Sequence, residues 1–372
     1  MLRAFTITIV ILTAVVAGAA LGIVAVRLMR QVRQRKIAAL AAGPRRALLA
    51  FVADNGEEGG QELVSIPPDA WKAAEPGALR LLGKLRGEAH RALVSVFLRR
   101  GVARAALGDL RSRSRVRRAR AAQVLGDLEL HQAVPELCRL LSDRHGEVRV
   151  VALRALGRIG DPAAAWRLIG SLDRSDPVPS LLATQALVQL GPGAEVTLSA
   201  ALDHPEARVR AVCLDALGLL GATGSVHRIA RVLREDSVLD VRVAAAANLG
   251  KLGARSALEP LILALTPARP TPLRAAAARA LGDLGAPSAV EALVTLLDDD
   301  AHRVAHEAAH ALRRLGPHGL RALQAVVDAE QRQAREDRVG SHAKLSSAAA
   351  HAKEAVYLAA VMGQAQALVS AA

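Results

Sequence analysis

Val209-Arg210-Ala211-Val212-Cys213-Leu214-Asp215-Ala216-Leu217-Gly218-Leu219-Leu220-Gly221 reads as one amphipathic helix stopped by a glycine. Three further copies flank it: Val148-Arg149 to Gly160, Val241-Arg242 to Gly253, and Leu273-Arg274 to Gly285. Two degenerate copies end at Gly191 and Gly316, so the second glycine of each unit recurs at 160, 191, 221, 253, 285 and 316, every 30 to 32 residues. A fixed period of this length predicts a stack of helical hairpins, in which no unit can bury its apolar face without its neighbours. The local chemistry agrees. Each unit opens near Asp or Pro, as in Asp203-His204-Pro205 and Asp298-Asp299-Asp300, and the second glycine suits the left-handed residue that ends a first helix. A second helix follows, as over 257–265 and 289–297.

Composition points the same way. Of 372 residues, 52% are apolar but only 2% aromatic, so the core is built from Leu, Val and Ala, which suit close-packed helices better than sheets. Trp71 and Trp166 read as isolated packing anchors. Cys138 and Cys213 stand far apart with no metal-ligand spacing, and read as buried free thiols.

The repeating unit resembles the bacterial HEAT-like repeats first described in phycobilisome lyases, whose pattern V-R-x-x-A-x-x-A-L-G-x-L-G recurs with little change over about residues 114–330. Leu85-Arg86-Gly87-Glu88-Ala89, 110–120 and the atypical unit around Val178-Pro179 are similar to bacterial membrane-anchored HEAT-repeat proteins. The resemblance implies an all-α protein with an N-terminal transmembrane helix followed by an α-solenoid. It specifies architecture strongly and function poorly.

Charge is unevenly placed. The net +14 sits almost wholly in residues 27–120, which hold 21 basic and 8 acidic side chains, while 121–372 is neutral. Residues 4–26 carry no charge, a run of about 35 Å as a helix, enough to span a bilayer core. A cleaved signal peptide is the competing reading, because Ala17-Gly18-Ala19 resembles a cleavage site, but Leu21 to Val26 prolong the run beyond it. The basic flank on the C-terminal side then predicts a single-pass protein of the cell membrane with a cytoplasmic solenoid. Arg27, Arg30, Arg33, Arg35 and Lys36, with Arg113, Arg117 and Arg120 from the arginine-rich stretch 111–120, are the candidate contacts to an anionic lipid surface; a solvated helix face is the alternative for the second group. No nucleic-acid readout motif accompanies the basic charge.

These features divide the chain into an anchor and basic juxtamembrane segment (1–36), a helical N-terminal cap region with a loop at 54–68 (37–113), the HEAT-like repeats (114–330), and a polar linker with a C-terminal capping helix (331–372).

The most suggestive chemistry is His302, His306 and His310, spaced i, i+4 and i+8 beside 298–300, a spacing that can chelate metal. His306-Glu307 also resembles the His-Glu motif of deoxyhypusine hydroxylase, a HEAT-like di-iron enzyme. The equivalent positions of other units hold Val150-Val151, Leu181-Leu182, Ala211-Val212, Val243-Ala244 and Ala275-Ala276, so the remaining ligands are missing. Arg154, Asp215 and Arg279 stand where His310 does, which predicts an exposed face of solvated histidines. His302, His306, Glu307 and His310 are therefore kept only as metal candidates, with no metal, cofactor or catalytic residue assigned. No P-loop, GxGxxG, HExxH or GxSxG occurs, and no small-molecule substrate is indicated. The expectation is a non-enzymatic, membrane-tethered scaffold that binds membrane-associated protein partners, with a glycosyltransferase partner implied by resemblance. The alternatives are a deoxyhypusine-hydroxylase-like oxidoreductase and a bilin-lyase-like protein.

Overall fold

A computed structural model describes residues 2–56, 58–175, 177–336 and 346–370; the side chains of 2–17, 19, 334–336 and 363–370 lie outside the description. Every regular element among the described residues is helical. The chain divides into two compact units, 1–130 and 131–372.

The first unit holds α1 (Leu2–Ala53), α2 (Gly60–Ser65), α3 (Pro68–Leu82), α4 (Gly87–Arg99), α5 (Val102–Asp109) and α6 (Arg115–Asp127). From residue 18 to Leu40 every described side chain of α1 is exposed; only from Ala41 onward do Ala41, Leu48 and Phe51 turn inward against α3. Helix α2 occupies part of the stretch expected as a loop. It is fixed there by Arg100, whose guanidinium donates to the carbonyls of Leu63, Val64 and Ile66 at 2.7, 2.8 and 2.9 Å while lying 4.2 Å over the Trp71 ring. Trp71 is buried edge-on to Phe97, as an anchor should be.

Among the described residues no helix is long and apolar enough to cross a membrane. This corrects the expected transmembrane helix and single-pass placement. Most of the uncharged run 4–26 on which that expectation rested lies among side chains outside the description.

The second unit is a row of hairpins: α7 (Val134–Leu140), α8 (Gly146–Ile159), α9 (Ala165–Gly170), α10 (Ser180–Gln189), α11 (Glu195–Ala200), α12 (Ala207–Leu220), α13 (Val226–Glu235), α14 (Leu239–Leu252), α15 (Leu258–Leu263), α16 (Thr271–Leu284), α17 (Val290–Thr295) and α18 (His302–Arg314), then the longer α19 (Pro317–Glu336) and α20 (Ser347–Ser370). The first helices α8, α10, α12, α14, α16 and α18 pack each on the next, and the shorter second helices line up beside them. Gly160, Gly221, Gly253 and Gly285 are left-handed helix ends with φ of 71°, 67°, 64° and 68°, as the periodicity predicts.

Two parts of the repeat acquire a meaning that the pattern alone did not disclose. The first glycine of Ala-Leu-Gly is a point of close approach between consecutive first helices: a Cβ on Gly157, Gly250 or Gly282 would fall 2.8, 2.7 and 2.7 Å from the Cα of Ala186, Ala280 and Ala311. The small residue of one unit thus receives the backbone of the next. The arginine of Val-Arg is a loop clamp. Arg210 donates to the carbonyls of His204 and Pro205, both at 2.8 Å, and bidentately to Asp236 of the following unit at 2.6 and 2.7 Å; Arg274 pairs with Asp299 of the following unit through Nη1 alone. In the degenerate unit Ser180 stands where that arginine should be, and Arg208 of the next unit reaches back to Val178 O and Ser180 Oγ instead. Hydrogen bonds to Asp236 hold the Arg210 guanidinium above its usual pKa despite burial.

Candidate functional site

Two places in the second unit gather groups with chemical potential. The first lies on the row of second helices. Each enters through a 3-10 turn whose third residue, such as Ala133, Ala164 or Ala194, is fully buried. That plug sets which face of the following helix looks outward. Trp166, two residues beyond Ala164, is consequently 60% exposed, and Val196, two beyond Ala194, is 80% exposed. Between α7 and α9 runs a groove of about 690 Å³ lined by Pro135, Cys138, Arg139, Trp166, Arg167 and Arg174 among others, with no carboxylate among its lining residues. Arg139 also pairs with neighbouring Glu136 at 2.5 Å. Cys138 is half-buried here, not fully buried as expected; burial, helped by Asp161 and opposed by Arg167, raises its pKa, so the thiol stays protonated at neutral pH. Cys213 is buried, with its pKa pushed up to about 12 by desolvation. Trp166 is not core packing, because the register of α9 turns it to solvent.

The second place is at the end of the repeats. His302, His306 and His310 lie on one face of α18, as their spacing requires, but α20 covers that face and adds a fourth imidazole, the buried His351. Ring centroids are 4.6 Å apart for His302 and His351, 4.4 Å for His306 and His310, and 6.2 Å for His306 and His351. Glu354 stands one turn along α20, and its carboxylate and the ring nitrogens of His306 and His351 all lie within 4.8 Å of one another. Burial, then the charges of His306 and Arg313, hold His310 below the usual histidine pKa; burial, then His302 and His306, do the same to His351. The expectation of a wholly exposed face is therefore corrected: only His302 of the three is exposed, and Glu307 is buried. Glu307 turns away from the histidine set and pairs with Arg279 of α16, its Oε2 accepting from Nε at 3.0 Å. Burial alone would raise the Glu307 pKa, but Arg279, Arg314 and His306 together hold it below the usual range.

His351 and Glu354 escaped the sequence reading because they lie more than forty residues beyond His306, in an alanine-rich segment with no metal-ligand motif of its own. The i, i+3 spacing of the two was the only signal available.

The basic candidates are in the first unit. Arg27, Arg30, Arg33, Arg35 and Lys36 are exposed along α1. Arg113, Arg117 and Arg120 are also exposed, Arg120 lying 3.6 Å from Glu75, whereas Arg118 among them is buried and donates to Ser112 O at 2.8 Å. Nothing in the geometry supports a lipid contact for this set.

The HEAT-repeat pattern matches residues 104–188 and 258–340, and the PBS lyase HEAT-like repeat matches residues 241–266. The chain is a HEAT-repeat protein. No curated protein matches it. Among solved structures, this HEAT-repeat chain is similar to the CpcE–CpcF complex of phycocyanin lyase from Nostoc (26% identity over 60% of this chain and 92% of that one, TM-score 0.31). It is similar to human deoxyhypusine hydroxylase (22%, 77% and 98%, TM-score 0.31). It is also similar to Kap121p bound to Ste12p (13%, 85% and 39%, TM-score 0.50). The expectation that the chain is not an enzyme is corrected by this family assignment: the matched repeat at 241–266 takes its description from a lyase, so the architecture gives no ground for excluding catalysis. Membrane anchoring and a glycosyltransferase partner find no support in these comparisons.

Proposed function

We propose that this HEAT-repeat protein is a protein-binding scaffold, and that the groove between α7 and α9, with Val196 on α11 beyond it, takes an extended acidic segment carrying an apolar anchor. The observation that carries the reading is Trp166, a large aromatic exposed on a regular helix beside Arg167 and Arg174, in a groove with no carboxylate among its lining residues. Tryptophan and arginine are the residues most enriched where binding energy concentrates, and an arginine-lined groove selects partners of opposite charge. Kap121p, built on similar repeats, is known in a complex with Ste12p, which supports the use of such a stack for holding protein.

The test is fluorescence anisotropy with a labelled peptide of alternating glutamate and leucine, against a lysine–leucine peptide of equal length. The acidic peptide binds, weakens as salt rises, and loses affinity by more than tenfold with Trp166→Ala or with Arg167→Glu and Arg174→Glu together. Equal binding of both peptides, or wild-type affinity in these variants, refutes the reading. A lyase-like activity is the second reading, favoured by the PBS lyase HEAT-like match at 241–266. Covalent attachment of a bilin to phycocyanin apoprotein, followed by absorbance, tests it.

A further inference from the structure

The histidine cluster is independent of the groove and of any partner. Its parts come from two helices that the chain brings together from either side of residues 337–345: His306 from α18, and His351 with Glu354 from one face of α20. Three donors of the kinds transition metals prefer, two imidazole nitrogens and a carboxylate oxygen, lie within 4.8 Å of one another. In a tetrahedral site with bonds of about 2.0–2.1 Å, donors stand about 3.3 Å apart. Closing the difference takes about 1.5 Å at the widest pair, within the reach of χ rotations of an exposed glutamate and a half-buried histidine. His351 is buried between the helices and supplies the fixed donor. The nearby rings of His302 and His310 offer a further nitrogen on either side. Glu307 is not part of this set, because Arg279 already holds it.

We infer that His306, His351 and Glu354 bind one divalent first-row transition-metal ion, zinc foremost, which staples the C-terminal helix α20 to the last repeat helix α18. Two histidines and a carboxylate complete three positions of a tetrahedral shell and leave a fourth to water or a flanking imidazole. Because the donors come from two helices, the ion links them directly, and binding is coupled to their packing.

The experiment uses the full chain, stripped with chelator and exchanged into metal-free buffer. Zinc is titrated in competition with a chromophoric chelator, and cobalt(II) is added to a second sample for visible spectroscopy. The expected results are one equivalent of zinc per chain, cobalt bands of the intensity given by four-coordinate nitrogen and oxygen ligation, and a zinc-dependent rise in the unfolding temperature. His306→Ala, His351→Ala and Glu354→Gln each weaken zinc binding by tenfold or more. Glu354 is exposed, so Glu354→Gln keeps its metal-free unfolding temperature and tests the site even where replacing buried His351 unfolds the helix pair. Absence of stoichiometric zinc in the wild type, or binding that survives Glu354→Gln unchanged, overturns the assignment.

Discussion

Gly250→Ala places a methyl group where α14 meets α16. The added Cβ falls 2.7 Å from Ala280 Cα and 2.9 Å from both Ala280 Cβ and Ala280 O, against about 3.5–4.0 Å for comfortable carbon contacts. Two of these neighbours are backbone atoms, so no side-chain rotation relieves the clash; the helices must separate by nearly 1 Å. Overpacking of this kind costs about 1–3 kcal/mol, and the gain in helix propensity from removing glycine offsets about 1 kcal/mol of it. The net expectation is a destabilisation of about 1 kcal/mol, or roughly 2–4 °C in unfolding temperature for a unit of this size. Gly170→Ala is the matched control: Gly170 also lies in a helix, α9, but its added Cβ meets nothing within 4 Å, so the substitution raises stability slightly. Differential scanning calorimetry of the two variants beside the wild type measures the contrast. If Gly250→Ala melts at or above Gly170→Ala, glycine at this position is not required by helix approach, and the account given of the Ala-Leu-Gly motif fails.

Further outcomes follow from the same packing. Leu217 is fully buried in α12, so Leu217→Asp strands a carboxylate among apolar side chains and costs several kcal/mol, about 3 or more; hydrogen exchange should show lost protection in α10 and α14 as well, and loss confined to α12 would contradict the stacking. Metal-free protein should lose stability as pH falls below about 6.5, the ordinary histidine value. His310 and His351 are held below that value by burial and by neighbouring His302, His306 and Arg313, with Glu307 and Glu354 acting in the opposite sense, so the unfolded chain takes up protons that the folded one resists. The contribution is intact above the unfolded pKa and is lost as pH drops through the folded one. A wild type and a His310→Asn, His351→Gln double variant with equal losses in melting temperature between about pH 7.5 and 5.5 would remove the histidines as the cause.

The sequence by itself determined the helical class, the repeat length and the places where first helices end, because those are local: a period near 31, helical spacing of Val, Ala and Leu, and glycines required to adopt positive φ are all visible within one unit. Only the tertiary structure decided what lies between units. Nothing within one unit distinguishes Gly157, Gly250 and Gly282 as points of backbone approach to the facing alanines, or shows that Arg210 pairs with Asp236 of the next loop. Trp166 could not be told from Trp71 by composition; one faces solvent and the other the core because the buried alanine before α9 sets that helix's rotation. His306 and Glu307 looked like a matched pair, being adjacent in sequence, yet one turns toward α20 and the other toward Arg279. Adjacent residues on a helix point about 100° apart, so partners for each must come from different neighbours, and which neighbours those are is fixed only when the chain folds back on itself.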